Sequence, residues 1–380
     1  MGTASLEGTR MSGTKIRKHF RSQSDVSSRT NRFSQSARNR AVHCLSFVTF
    51  SFFLFTSPPV RADDVAKQSV VVVVGATGAP EYEKEFTGWA EQWKTAATKG
   101  GADFVLIGTD ENAAKPQALD RDRLKNILER AADTTDQELW LVLIGHGTFD
   151  GRTARFNLRG PDVSATDLAE WLKPLKRPVA VVNCGSASGP FVNKLSAANR
   201  VIVTAAKSGS EQNFARFGKY LSASIADAKA DLDKDGQTSL LEAWLSASRK
   251  VEEFYKTEGR LATEHSLLED NGDGRAVRAD FFRGIRPNKK SADNTAIDGY
   301  RAHQFHLVRS PEEHRLPPEL RRHRDELELS VIQLRDRKET IPQADYTGQL
   351  EALLIELAKV YEQSAGNKGT IVPASGERRK

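Results

Sequence analysis

"SVVVVVGATG", residues 69–78, places five consecutive valines between a serine and a glycine-rich turn. A strand with one wet face alternates apolar and polar residues, whereas an unbroken β-branched run suits a strand covered on both faces. Strands of that kind belong to parallel sheets, whose crossover helices pack on either side. The sequence after it alternates accordingly. Residues 80–98 read as a helix with Phe86, Trp89, Ala90 and Trp93 on one stripe. "ADFVLIG" (102–108) is a second strand, 120–132 a helix with Leu124, Ile127 and Leu128 inward, and "ELWLVLIGHG" (138–147) a third strand. A helix at 165–175, N-capped by Ser164, precedes a strand over 179–182 that runs into Cys184. "RVIVTAA" (200–206) is the fifth strand. The alternation predicts an α/β fold, a mainly parallel sheet flanked by helices. "GATG" has neither the Lys-Ser/Thr of a P-loop nor the spacing of a dinucleotide fingerprint, so it reads as a tight turn.

Beyond the fifth strand, helices are expected over 211–229 and 240–256, on either side of an acidic loop. The polar stretch 284–315 reads as a linker. Two amphipathic patterns, 319–339 and 345–363, are separated by Pro342 and predict a helical hairpin over 316–365. Such a hairpin suits packing, a helical partner or self-association. Residues 366–380 are expected to be a disordered tail.

The first sixty-odd residues differ from the rest. Up to Arg40 they are Ser-, Arg- and Asn-rich without apolar periodicity, and then comes "CLSFVTFSFFLFTSPPVRADD". The apolar core, 45–56, is too short to cross a bilayer comfortably, and "VRA" ends in the small residue that a cleavage site uses. Residues 1–62 therefore read as a basic leader with a secretory signal peptide. The chain is therefore expected to be exported, to periplasm or outside, and to meet a membrane only if that segment stays uncleaved. The whole chain carries 56 Lys/Arg against 50 Asp/Glu, a net +6, while the first 62 residues carry ten against two. The remainder is net −2, so bulk charge gives a nucleic-acid partner no support. Cleavage also removes Cys44, leaving Cys184 as the single cysteine of the mature part, with no partner for an internal disulfide.

Ligand sites of open parallel sheets gather at the carboxyl ends of strands. Two such ends carry reactive side chains: His146 in "LIGHGTFDG" and Cys184 in "VVNCGSASG". If the two strands are neighbours, the imidazole can take the thiol's proton and make a nucleophile for a carbonyl carbon. Gly147 and the small residues after Cys184 let backbone N–H groups approach a developing oxyanion.

A strand ending in His-Gly, followed about forty residues later by one ending in Cys and Ser/Gly, resembles the caspase-like clan of cysteine peptidases. Within it, "NCGSASG", "VIVTAA" and "LATEHSLLEDNGDG" are similar to the legumain family, above all its bacterial exported members. The resemblance covers roughly residues 68–283, and with the signal processed it bounds a peptidase domain over 63–283. It implies His146 as general acid/base, Cys184 as nucleophile, and the amides of Gly147 and Cys184 as oxyanion donors. The implied reaction is hydrolysis of a peptide or protein substrate through an acyl-enzyme; in some relatives an amine replaces water and the outcome is transpeptidation. The pocket departs from the family pattern. Where plant and animal legumains place Asn and Arg, "GAPEYEK" offers Glu81 and Glu83; their acidic position two before the nucleophile falls at Val182, and another falls at Lys219. Asparaginyl specificity is therefore not expected, and Glu83 would favour a basic residue before the scissile bond. "KSGSEQ" (207–212), with Ser210 and Glu211, is the expected pocket wall or, alternatively, a helix cap.

"DLDKDGQTSLLE" (231–242) fits the EF-hand loop. Asp231, Asp233 and Asp235 stand at positions 1, 3 and 5, Gly236 at the sharp turn, Gln237 offers its carbonyl at 7, and Glu242 is bidentate at 12. Ca2+ is the expected cofactor, structural or regulatory, and no organic cofactor is expected. "EDNGDGRAVRAD" (269–280) matches the same template poorly, since Glu at position 1 is unsuited. A non-catalytic, calcium-binding scaffold on the same fold is the alternative reading of the whole.

Overall fold

The computed structural model describes residues 67–109, 119–131, 137–288 and 298–366. The leader and signal-peptide reading of 1–62 and the tail after 366 lie outside them. Among the described residues no helix is long and apolar enough to cross a membrane.

Five parallel strands make the centre: β1 (Ser69–Val74), β2 (Asp103–Ile107), β3 (Leu139–Ile144), β7 (Val179–Asn183) and β8 (Arg200–Thr204). They run in the order β2-β1-β3-β7-β8, and β9 (Leu267–Glu269) closes the edge antiparallel to β8. Leu143 of β3 pairs with Asn183 of β7, so the carboxyl ends of these two neighbours come out side by side. A small antiparallel sheet of β4 (Gly147–Phe149), β5 (Ala154–Phe156) and β6 (Val163–Ser164) follows β3 directly.

The valine run does what its composition requires. Val70, Val72 and Val74 face one core and Val71 and Val73 the other, all at most 2% exposed. The even-numbered side of β1 and β3 packs on α1 (Pro80–Lys99), α5 (Phe217–Ser224) and α6 (Leu240–Thr257). The odd-numbered side packs on α2 (Asp120–Ala131), α3 (Ala165–Leu172) and α4 (Phe191–Leu195). Burying a side chain such as Phe86, Trp93, Leu124 or Leu141 contributes about 1.5–3 kcal/mol each, and these layers hold dozens. Helix α3 starts at the expected Ser164, whose hydroxyl accepts from the Asp167 N–H while the Asp167 carboxylate accepts from the Ser164 N–H.

Two expectations need correction. Residues 211–229 are not one helix, because only Phe217–Ser224 is helical. The carboxylate of Glu264 accepts the N–H groups of Arg216 and Phe217 and so starts the helix there, a cap that comes from 47 residues away. Nor is 284–315 a linker. Its described part forms the hairpin β10 (Phe282–Arg283) and β11 (Arg286–Pro287), then α7 (Tyr300–Gln304) and α8 (Pro311–Arg315). Ala302, Phe305 and Leu307 enter the even-side core, with the Phe305 ring edge-on to Trp140 at 5.6 Å. Arg309 clamps both oxygens of Glu138 at 2.6 Å, and Gln68 donates to the His306 carbonyl at 3.0 Å. The polar residues that suggest a linker are caps and clamps, and the few apolar ones are too widely spaced to show a period. The hairpin follows as α9 (Pro318–Asp336) and α10 (Gln343–Gly366), anchored by Arg324, which grips both oxygens of Glu313 at 2.7 Å.

Candidate active site

Sheet parity puts the two reactive residues on one side. Val182 and Cys184 point to the even-side core, and His146, two residues past Ile144, packs against the rings of Tyr82 and Phe86 on α1 at 4.8 and 5.2 Å. The loops that carry them touch. A Cβ on Gly185 would lie 3.4 Å from the His146 carbonyl carbon, and one on Gly147 would overlap the Ser186 carbonyl oxygen at 2.2 Å. Gly147 is thus required by close approach, and Ser186 closes the contact: its hydroxyl accepts the Gly147 N–H at 3.2 Å and donates to the Gly147 carbonyl at 3.1 Å.

His146 Nε2 lies 3.3 Å from the carbonyl of Thr77, in the turn after β1. A carbonyl only accepts, so Nε2 carries the hydrogen and Nδ1 is left as the basic nitrogen. Burial among Tyr82, Phe86 and Phe214 pulls the imidazole below its ordinary pKa, partly offset by the Thr77 bond, and keeps it neutral at pH 7. Cys184 is 1% exposed. Burial first, then the nearby Glu264 carboxylate, push its thiol up to about 12. The resting pair is therefore a neutral imidazole and a protonated thiol, not an ion pair. What covers the thiol is α5. A Cβ on Gly218 would meet the Cys184 Cβ and the Trp89 ring, each at 2.8 Å, so only glycine allows this approach.

Both amides implied as oxyanion donors are occupied at rest. The Gly147 N–H donates to Ser186 Oγ, and the Cys184 N–H donates to the Leu143 carbonyl at 2.9 Å, extending the β3–β7 ladder by one bond.

The expected pocket residues fare unequally. Glu83 is on the solvent side of α1, and its neighbour Tyr82 is the one that meets His146. Lys219 projects outward from α5, one residue past Gly218. Val182 lies buried within β7. Ser210 is exposed and caps no helix. Glu211 has structural work: its carbonyl accepts the Ala187 N–H at 2.7 Å, and its carboxylate accepts the Lys207 N–H at 2.8 Å and the His265 Nδ1–H at 2.5 Å. It therefore ties the loop after Cys184 to the segment before β9, through bonds the sequence does not announce. Phe149 lies over Gly209, where a Cβ would come within 2.2 Å of its ring. Thr77, Tyr82, Ser186 and Phe214 were missed by the sequence reading; only Ser186, inside the Cys-Gly-Ser run, carried any signal.

The acidic loop 231–242 turns sharply about the Asp231 carboxylate. Lys234 and Gly236 take positive φ of 67° and 88°, and the Asp231 carboxylate receives the N–H groups of both. Oxygens of Asp231, Asp233 and Asp235 lie within 4.8 Å of one another, as do ligand atoms of Asp233, Glu242 and His303. Desolvation pushes the Asp235 carboxyl up, the Gln237 hydrogen bonds pull it down, and the charges of Asp233 and Glu242 add smaller upward pushes. Glu242 is fully buried, and its carboxylate accepts from Leu232, Asp233 and the Ser239 cap at the start of α6. The carboxylate oxygens are hard donors of the kind Ca2+ takes, whereas His303, which no sequence template supplies, brings a nitrogen that hydrogen-bonds Asp233 Oδ2 at 3.0 Å. The entering helix differs from expectation: α5 ends at Ser224, and residues 225–230 intervene. The second loop is wired otherwise. The Glu269 carboxylate accepts from Ser196 and Gly272, and Asp270 caps α7.

No protein-family model matches the chain, and no curated protein matches it. Among solved structures, it is similar to the Drosophila initiator caspase Dronc, with 11% identity over 58% of this chain and 89% of that one, at a TM-score of 0.35. It is also similar to caspase-1 of Spodoptera frugiperda, with 7% identity over 56% and 89% at 0.35. A third is "iotapain", a secreted C11 cysteine protease of Bacteroides thetaiotaomicron, with 12% identity over 54% and 66% at 0.29. Likenesses of this size concern the fold alone and assign no activity.

Proposed function

We propose that the chain is a cysteine endopeptidase, with Cys184 as nucleophile and His146 as general acid/base. The observation that carries this is the convergence of the two residues at the carboxyl ends of neighbouring strands β3 and β7, on one face of the sheet, with their loops bonded through Gly147 and Ser186. The Thr77 carbonyl adds the tautomer that a base requires.

In the reaction, the thiol proton passes to His146 Nδ1 as Cys184 Sγ attacks the scissile carbonyl carbon, and the carbonyl π electrons move to oxygen. Collapse expels the amine, which takes the proton from imidazolium. Water then attacks the thioester carbonyl with His146 again as base; the C–S bond breaks, the acid product leaves, and the Cys184 thiolate recovers its proton from the imidazolium. For the Gly147 N–H to serve the oxyanion, the Ser186 hydroxyl must turn away from it, so the structure corresponds to a closed resting form. Attack also requires the α5–Trp89 cover over Cys184 to move.

Legumain-type chemistry, export and calcium belong to the same proposal. The loop 231–242 would hold Ca2+ through Asp231, Asp233, Asp235, the Gln237 carbonyl and Glu242, a structural or regulatory ion remote from the bond-making step. Among partners, a peptide substrate follows from the dyad, and α9–α10 offers the helical surface for a partner or a second copy.

A second reading is favoured by one observation, the full burial of Cys184 with its thiol near 12: a calcium-binding scaffold whose cysteine is inert. The deciding experiment incubates residues 63–380, with and without Ca2+, with a fluorogenic peptide library varied before the scissile bond. Cleavage that disappears in Cys184→Ala and in His146→Ala supports the peptidase. Cleavage untouched by both substitutions, or no turnover beside a saturable calcium isotherm, overturns it in favour of the scaffold.

A further inference from the structure

A second cleft opens at the opposite end of the sheet, among the strand starts, where α7 and α9 cross the residues that lead into β3 and β7. It has a volume of about 270 Å3 and is lined by Arg177, Arg301 and Arg321, with Lys176 and Arg322 beside them. Three acidic residues share the lining: Glu138, Asp325 and Glu326. Two of these are bonded by arginines from outside the cleft, and at Asp325 that arginine is shared with Glu313. Arg309 takes both oxygens of Glu138 at 2.6 Å, and Arg324 takes Asp325 Oδ1 through Nε at 3.0 Å and Nη2 at 2.7 Å.

The hydrogen bonds of Arg177 and Arg321 go to neutral oxygens instead. Arg177 bonds neutral oxygens only, the carbonyls of Gln137 and Glu138 and the Ser69 hydroxyl. Arg321, 9% exposed, reaches only the Glu313 carbonyl, at 3.5 Å. Burial is the largest influence on all three and lowers the affinity of Arg177, Arg301 and Arg321 for their protons, with Arg309 adding repulsion at Arg321; Glu138 at Arg177, Asp270, Asp325 and Glu326 at Arg301, and Glu138, Glu313 and Asp325 at Arg321 offset it only in part. Five basic side chains against three acidic ones line one concave space, and desolvated guanidinium groups whose hydrogen bonds go to neutral oxygens form a receptor for negative charge. The fork of each guanidinium matches the paired oxygens of a phosphate or carboxylate.

We propose that this cleft binds a compact, multiply charged oxyanion, which bridges α7 and α9 to the starts of β3 and β7. The site is distinct from the dyad, which lies at the far ends of the same strands, and does not depend on the reaction assigned there. Its expected effect is to fasten the carboxyl-terminal helices to the sheet, because a ligand bound by the folded state alone raises its stability in proportion to occupancy.

Calorimetric titration of the full chain with inorganic pyrophosphate, and separately with citrate, tests this, alongside the melting temperature at rising concentration of each. The expected result is saturable one-to-one binding of at least one anion with a concentration-dependent rise in melting temperature; the tighter of the two assigns phosphate or carboxylate chemistry. Arg301→Gln is expected to weaken binding at least tenfold. Glu326→Gln, which removes the remaining acid without disturbing a hydrogen bond of the core, is expected to tighten it about threefold, a gain that a folding defect does not imitate. Both changes are required together. Absence of saturable binding to either anion, or any other pattern in the two variants, overturns the proposal.

Discussion

Gly147 and Ser186 hold each other through two hydrogen bonds made by one hydroxyl, which receives the glycine N–H and donates to the glycine carbonyl at 3.2 and 3.1 Å. This bond pair joins the loop that follows His146 to the loop that follows Cys184. It also occupies the N–H that an oxyanion would use. Ser186→Ala removes both bonds while leaving the backbone contact, at a cost of about 1–2 kcal/mol by the usual value of a part-buried hydrogen bond. The expected outcome is a lower melting temperature together with a change in kcat rather than in KM, measured by calorimetry and by peptide turnover. A pure stability loss with kcat untouched would show that Ser186 does not gate the amide.

The resting thiol is expected to be sluggish. With Cys184 pushed up to about 12 by burial, the thiolate fraction at pH 8 is on the order of one in ten thousand. Alkylation by iodoacetamide should then run on the order of a thousandfold slower than that of an ordinary exposed thiol. Mass-spectrometric mapping of the labelled cysteine in a Cys44→Ser chain measures the rate site by site. A rate at Cys184 equal to that of a small free thiol would contradict the closed form.

Gly218 is where the cover meets the nucleophile, and it tests the packing directly. An alanine there places a methyl group 2.8 Å from both the Cys184 Cβ and the Trp89 ring, and neither belongs to a flexible chain end. Overpacking of this kind costs about 1–3 kcal/mol, and relief by lifting α5 exposes the thiol. Gly218→Ala is expected to lower the midpoint of urea unfolding and to raise the alkylation rate of Cys184 at once. An unchanged midpoint would mean that α5 does not press on the nucleophile.

Much of this was legible in the chain itself. The valine run predicts a strand covered on both faces, and the parity of Ile144 and His146 against Val182 and Cys184 places both reactive residues on one side of the sheet. The acidic loop announces its own backbone, since Gly236 falls where a positive φ is needed. What sequence reading could not supply are partners far apart in the chain. Glu264 caps α5 from 47 residues away, His303 joins Asp233 across 70, and Phe305 packs on Trp140 from a stretch whose polar composition suggests a linker. Local periodicity carries no record of such pairings. The pocket residues implied by family resemblance were located by position in a pattern, and the structure places Glu83 and Lys219 on outward-facing helix surfaces instead.

The junction of the second acidic loop with α7 carries a pH dependence whose sign follows from two buried carboxyls. Asp270 accepts the N–H groups of Gly299 and Ala302 at 3.0 and 2.8 Å, and Asp298 Oδ1 accepts those of Asp270 and Asn271 at 2.9 and 3.3 Å. Burial raises both carboxyls, and at Asp298 the charge of Asp270 raises it further, so the folded pair retains a proton. The unfolded chain releases that proton near the ordinary carboxylate value of about 3.9. Above that pH the folded state binds more protons than the unfolded one, so stability falls as pH rises toward the folded-state value. Asp298→Asn keeps Oδ1 as acceptor for both N–H groups and removes the charge. The variant is therefore expected to melt above the wild type at about pH 9, with the difference shrinking toward about pH 4, where the unfolded Asp298 also takes up its proton. Melting curves of both proteins across that range decide it. A gap that stays constant with pH, or one that favours the wild type at the alkaline end, would mean that the pair shares no proton in the folded chain.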